Sequence, residues 1–202
     1  MIGSIQTERL LLRKWKKSDF ADFMEFACDP AVMLPGGSEP LQTKQPRRAA
    51  VYFDACRQQG ECYAVTLRGS GKVIGSVTLS ADNRRFRIRS LSVGYLLNRH
   101  YWGQGYMTEA FSAVIRRMFE YQNCEALSIS HFEGNDRSRR VIEKCGFRPE
   151  GVTVKAFRRC DGVVLDEYCY GLLREEYFAA KENAKPAGVN YGLSWQENMK
   201  RL

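Results

Sequence analysis

The stretch that most restricts how this chain can fold lies between residues 86 and 131. Phe86 and Ile88 alternate with Arg87 and Arg89, and Leu91, Val93, Tyr95 and Leu97 carry the alternation on. Period two over 86–97 reads as one long half-buried strand. From Tyr106 to Tyr121 the period changes, and Met107, Ala110, Phe111, Val114, Ile115 and Met118 fall on one face of a helix. Leu127, Ile129 and His131 then alternate as a short strand. Strand, long helix and strand in succession imply a parallel pair with a right-handed crossover.

The flanks add elements of both kinds. Leu10, Leu11 and Leu12 read as a first strand. Ser18 and Asp19 open a helix with Phe20, Phe23, Met24 and Ala27 inward, and Asp29-Pro30 ends it. Val32 to Pro46, with Pro35, Gly36, Gly37 and Pro40, reads as a loop. Residues 47–59 form a second helix with Ala49, Tyr52, Phe53 and Cys56 inward. Strands at 62–67 and 73–79 flank the hairpin turn Gly69-Ser70-Gly71. Asn135 caps a helix that runs to Cys145, with Gly146 just past its end. Strands at 152–159 and 165–173, around Asp161-Gly162, precede a last helix over 173–182. The order predicts an α/β (α+β) fold, a sheet with helices on both faces.

The expected body covers 5–177, with 178–202 as an appendage. Lys185, Pro186, Gly188 and Gly192 make a linker, and Ser194 and Glu197 have capping-box spacing. Trp195, Met199 and Leu202 then form the stripe of a short docking helix near 194–202. It would seat on the body or on a partner subunit, as in a homodimer.

Charge adds a partner class. Lys and Arg total 31 against 23 Asp and Glu, a net +8, which favours nucleotide phosphates, nucleic acid or the ribosome. Arg84, Arg85, Arg87 and Arg89 are candidate RNA contacts. The seven cysteines are odd in number and show no C-x-x-C spacing, so no metal site is expected and a reducing cytoplasm fits. No window approaches the roughly 18 apolar residues of a membrane span, so no membrane partner is expected.

The chemistry concentrates in Leu96 to Ala110, where a strand ends, a turn carries Gly103 and Gly105, and a long helix begins. Amide N–H groups at a helix start lack partners and carry partial positive charge. Glycines remove the Cβ atoms that would hold a phosphate away, so the turn is a candidate pyrophosphate cradle. A Rossmann fingerprint needs a third glycine where Thr108 stands, and the Gly-Lys-Ser/Thr of a Walker loop is absent.

The run Trp102-Gly103-Gln104-Gly105-Tyr106-Met107-Thr108-Glu109-Ala110 resembles the acetyl-coenzyme A motif of the GNAT acetyltransferase superfamily, in its ribosomal-protein N-terminal (alanine) acetyltransferase branch. A second block is similar to that branch: Asn135-Asp136-Arg137-Ser138, then Glu143-Lys144, Gly146-Phe147 and Glu150-Gly151. Thr7-Glu8-Arg9-Leu10, Asp161-Gly162 with Asp166, and Leu173-Arg174-Glu175-Glu176 also match. The resemblance implies a mixed, splayed sheet, with acetyl-CoA wedged where the parallel strands part. It implies pantetheine along the strand ending at Leu96 and Leu97. The pyrophosphate would lie on amides from Trp102 to Met107, including Gln104 and Tyr106. Thr108, Asn135, Ser138 and one or more of Lys144, Arg139 and Arg140 would lie near the donor. His100 stands where the motif usually has Arg or Gln. Ser92 replaces a common strand carboxylate, and Ile142 a common tyrosine acid.

The implied reaction is direct attack of a primary amine on the acetyl thioester in a ternary complex. A backbone N–H near Leu96 or Leu97 would stabilise the oxyanion. Ser138 would serve the leaving sulfur as a donor. His131 and Glu133 are the candidate bases. An α-amine is roughly 10% neutral at pH 7 and a lysine amine well under ~0.1%, so an enzyme short of a strong base suits a protein or peptide N-terminus. Ribosome association, a small-molecule amine acceptor and a non-catalytic acyl-CoA-binding module are the alternatives.

Overall fold

The computed structural model describes residues 3–58 and 61–183. The chain forms strands β1 (Ile5–Gln6) and β2 (Leu10–Lys14), then helices α1 (Phe20–Ala27), α2 (Pro30–Met33) and α3 (Pro46–Gln58). The hairpin β3 (Cys62–Leu67) and β4 (Val73–Ala81) follows, then β5 (Ser90–Leu97), helix α4 (Tyr106–Tyr121) and β6 (Ala126–Phe132). Helix α5 (Asp136–Lys144), strands β7 (Arg148–Arg158) and β8 (Val164–Leu173), and helix α6 (Arg174–Asn183) complete it. The eight strands make one sheet in the order β1-β2-β3-β4-β5-β6-β8-β7. All neighbours are antiparallel except β5 and β6, the parallel pair that the crossover requires.

Two apolar cores flank the sheet. Met107, Ala110, Phe111, Val114 and Met118 of α4 pack with Ile142, Leu127 and Ile129 on one face. Trp15, Phe23, Phe26, Ala49 and Phe53 pack on the other, under α1–α3. Helix and strand periodicities send these side chains inward, which is why the two cores form without a gap in either pattern.

The β5–β6 pairing covers only Ser90↔Ala126, Leu91↔Leu127 and Ser92↔Ser128. Past Ser92 the two strands part. Strand β5 stays with β4 as far as Gly75↔Leu97, while β6 stays with β8 to its end.

Several expectations need correction. Strand β5 begins at Ser90, not Phe86, because 82–89 is a turn: Arg87 has φ 61, and Phe86 and Ile88 are exposed. Of the two arginines in the alternation, Arg89 reaches the Glu125 carboxylate, and Arg87 makes no ion pair among the described residues. The Pro/Gly-rich segment after residue 30 is partly helical. Asp29 caps α2 through Ala31 N–H at 3.0 Å, with Pro30 in the first helical position, so Asp29-Pro30 ends one helix by starting another. Helix α6 packs on α4, with Tyr177 5.3 Å from Phe119 and its hydroxyl donating to Glu120 at 2.7 Å. The packed body therefore runs past 177. The proposed docking helix at 194–202 lies outside the described residues. Among the described residues no helix is long and apolar enough to cross a membrane.

Candidate active site

The turn between β5 and α4 is built for an anion. Gly103 and Gly105 have φ 73 and 78, where a side chain is strained. Gly105 is the residue before α4 and gives no side-chain cap, so the first amides of the helix keep their donors for a ligand. An added Cβ on Gly103 would meet nothing within 4 Å.

This exposed turn is held from behind. Glu109 accepts from Thr7 Oγ1 at 2.6 Å, Arg9 N at 2.9 Å and Arg9 Nε at 2.6 Å. Arg9 also donates to Gln104 O at 3.0 Å and lies over the Tyr106 ring. Burial works to raise the Glu109 carboxyl, but these bonds outweigh it and hold it below the usual range. The Thr7–Arg9 and Glu109 motifs, 100 residues apart, are thus one contact.

Where β5 leaves β6, its backbone is open. Arg89 O accepts from Glu125 N on the β6 side, and Asn98 N donates to Ile74 O on the β4 side. Backbone groups alternate sides along a strand, so those of Val93, Tyr95 and Leu97 face the gap. Of the two expected oxyanion donors, the N–H of Leu97 faces the gap. That of Leu96 turns to β4 opposite Ser76. The Leu97 carbonyl is taken by Trp102 Nε1 at 2.8 Å.

A cavity of about 570 Å³ passes through this gap. On one side it meets the turn and helices α4 and α5. On the other it meets Trp15, Phe23, Val32 and Tyr52 beneath α1–α3. Most of the expected cofactor residues line it: Leu96, Leu97, Trp102, Gly103, Gly105, Tyr106, Met107, Thr108, Asn135, Ser138 and Lys144. His100 and Gln104 do not. His100 is exposed in the short turn Arg99–Tyr101, and Gln104 turns its amide back to His100 O at 3.0 Å.

The catalytic candidates separate. Ser138 lines the cavity, 2.9 Å from the Tyr95 hydroxyl, which also reaches Ser138 O at 3.1 Å. Burial pushes the Tyr95 hydroxyl well above its ordinary range, so it stays protonated. The phenol has one hydrogen: given to Ser138 O it leaves Ser138 Oγ as the donor to Tyr95, and turned to Oγ it frees the Ser138 hydrogen for the cavity. The alternation marks Tyr95 only as an inward strand residue, so this partner was not legible.

His131 also lines the cavity, but both ring nitrogens are engaged. Nδ1 lies 3.0 Å from Phe132 O, which can only accept, so Nδ1 carries the hydrogen. Nε2 lies 3.1 Å from Tyr170 Oη, so both ring nitrogens already have partners in the protein. Glu133 is exposed and off the cavity wall. Ile142, where related sites place a tyrosine, is fully buried in the core.

The charges on the wall are all positive. Arg137, Arg140 and Lys144 share one face of α5 and line the cavity. Arg137 stacks 4.5 Å over Trp102 beside the glycine turn. Arg139 instead pairs with Asp136 and Glu143. Arg137 was missed in the sequence, although its i, i+3, i+7 spacing with Arg140 and Lys144 carried the signal. Among the described residues no aspartate or glutamate lines the cavity. Three of the four arginines of this turn are engaged by carboxylates, Arg84 with Glu167, Arg85 with Asp82 and Glu150, and Arg89 with Glu125, while Arg87 makes no ion pair among the described residues.

The family model for the acetyltransferase (GNAT) domain matches residues 9–148. An uncharacterized N-acetyltransferase of Bacillus subtilis, YnaD, is 29% identical over 178 residues, covering 86% of this chain and 98% of its own. A GNAT-family acetyltransferase structure from Bacillus anthracis superposes with TM-score 0.76 at 26% identity, over 85% of this chain and 99% of its own. Two further structures share the fold. A ribosomal-protein-alanine acetyltransferase from Vibrio fischeri has TM-score 0.67 at 22% identity, over 85% and 97% of the two chains. A spermidine N-acetyltransferase from Vibrio cholerae, in complex with CoA and spermine, has TM-score 0.70 at 19% identity, over 85% and 99%.

Proposed function

Since this chain belongs to the GNAT acetyltransferase family and is an N-acetyltransferase that uses acetyl-CoA, we propose that its acceptor is the N-terminal α-amine of a protein or peptide. The observation that carries this reading is the α1–α3 end of the cavity, where Trp15, Phe23, Val32 and Tyr52 line the wall and, among the described residues, no carboxylate does. A polyamine would bring several positive charges into that end with nothing to offset them, and a buried charge without a partner is costly. One amine on an otherwise uncharged chain end avoids this. The arginine turn, with three of its four arginines paired to carboxylates, lends little support to ribosome association.

The donor supplies an acetyl thioester, an electrophile that an amine can attack directly. The first amides of α4 with Gly103 and Gly105 would hold its phosphates, and Arg137, Arg140 and Lys144 would add positive charge. The gap-facing backbone of Val93, Tyr95 and Leu97 would hold the pantetheine amides, with Leu97 N–H placed for the developing oxyanion. Ser138 Oγ, oriented by Tyr95, would offer a hydrogen to the leaving sulfur.

The test is the ratio of kcat/KM for an uncharged-side-chain peptide with a free N-terminus to that for spermidine. The reading expects the peptide to be favoured. Comparable or better turnover of spermidine would contradict it.

A further inference from the structure

With no carboxylate on the cavity wall among the described residues, the acceptor ammonium has no direct base there. One wall residue reaches a carboxylate by a side-chain hydrogen bond among the described residues. Ser130 Oγ donates to Glu167 Oε1 at 2.5 Å. Ser130 lies on β6 just past the last β5–β6 pair, where the gap opens. Its neighbours Ile129 and His131 turn toward α4 and α5, so Ser130 faces the other side, with Phe132. Phe132 packs against Gly37 beyond α2, which fixes that side as the α1–α3 end of the cavity. Glu167 is on β8, with about a quarter of its side chain exposed. It therefore connects the buried wall to solvent.

Resting on the acceptor reading above, we propose that Ser130 and Glu167 form a proton relay that neutralises the acceptor ammonium. The ammonium gives a proton to Ser130 Oγ as Ser130 gives its own to the Glu167 carboxylate. The amine is left neutral with its lone pair free, Ser130 is unchanged, and Glu167 is protonated until it releases the proton to solvent. Ser130 is the group that touches the substrate, and Glu167 acts through it.

The charged groups around the relay are few. Arg84 Nη2 bonds the same Glu167 oxygen at 3.0 Å and anchors its other nitrogen toward Ile129 O. Arg85, with Asp82 and Glu150, lies along the same turn and bonds Ser128, one step back on β6. Asp166, adjacent in β8, is turned to Lys155 N–H at 2.7 Å. On the opposite face the His131 ring is held by Tyr170 and Phe132. Glu167 Oε2 has no protein partner among the described residues.

The size of the effect follows from the amine. About a tenth of an α-amine is neutral at pH 7 without help, so the relay is worth up to about tenfold there and nothing above about pH 9. The experiment measures kcat/KM for a peptide α-amine from pH 6 to 10 in wild type, Glu167→Gln and Ser130→Ala. Glutamine can still accept the Ser130 hydrogen bond but cannot take the proton. The expected result is a loss of about tenfold near pH 7 in both variants that closes as pH rises, with unchanged acetyl-CoA affinity by calorimetry. A Glu167→Gln profile that overlays wild type, or is lowered equally at every pH, would overturn the relay, as would an unaffected Ser130→Ala. A wild type that acetylates no peptide amine would overturn the acceptor reading instead, and the same profile on the amine it does accept would then decide the relay.

Discussion

The two ends of the cavity are made in different ways. The α4–α5 end is made of backbone from one continuous run, the end of β5, the glycine turn and the start of α4, with a row of cations from a single helix. The α1–α3 end is made of single side chains: Trp15 after β2, Phe23 from α1, Val32 from α2, Tyr52 from α3, and Ser130 from β6. A phosphate is recognised by amides whatever side chains surround it, so a short motif suffices. An acceptor is recognised by shape and a few polar atoms, and those are gathered from distant parts of the chain.

That contrast can be broken by experiment. The largest effect is expected from Ser138→Ala, which removes a donor at the junction of the two ends. We expect kcat to fall roughly 100-fold with the KM for acetyl-CoA little changed. An unchanged kcat would place the leaving-group donor elsewhere.

Next is Gly105→Val. The left-handed backbone costs a branched residue about 1–2 kcal/mol, and the new side chain stands beside the amides. The acetyl-CoA KM is expected to rise roughly 10- to 30-fold while the acceptor KM holds. Equal damage to both would show that the ends are not independent.

Two milder changes sharpen the same point from opposite sides. Arg137→Ala, which removes a cation and its stacking on Trp102, should weaken acetyl-CoA binding about fivefold, and less at high salt. Tyr52→Ala, which removes an aromatic wall stacked 6.0 Å from Phe23, should raise only the acceptor KM, by about threefold to tenfold.

The smallest effect concerns the brace behind the cradle. The Glu109 carboxyl is held below its unfolded value by Thr7 and Arg9 despite the opposing effect of burial. A depressed acid contributes stability that is present above its unfolded pKa and is lost as pH falls through the folded one. Glu109→Gln should therefore cost about 1 kcal/mol in urea denaturation at pH 7, with the gap to wild type closing as pH drops below about 4. A gap constant with pH would remove the ionised carboxylate from the account.

The same contrast explains what could be read from the sequence. Local rules marked the hairpin at Gly69–Gly71, the Asn135 cap, the α4 stripe and the glycine turn, because each depends on neighbours in the chain. They failed at 86–89, where Arg87 and Arg89 alternate with Phe86 and Ile88 in a turn that leaves both apolar side chains exposed. They also failed at Asp29-Pro30, which stops one helix and starts the next. His131 is a candidate base by its chemistry, but Tyr170, a strand away, occupies its Nε2. Tyr95 and Glu167 escape these rules because their meaning lies in what they touch. The Thr7–Arg9 block was visible as a motif, but its grip on Glu109 was not, since nothing local links residues 100 apart.

The account is tested most directly by one peptide that carries both a free α-amine and an internal lysine, incubated with enzyme and acetyl-CoA at pH 7. Fragmentation mass spectrometry then locates the acetyl group. Acetyl on the α-amine, with the lysine unmodified, is the expected result. Acetyl on the lysine, with the α-amine left free, would contradict it.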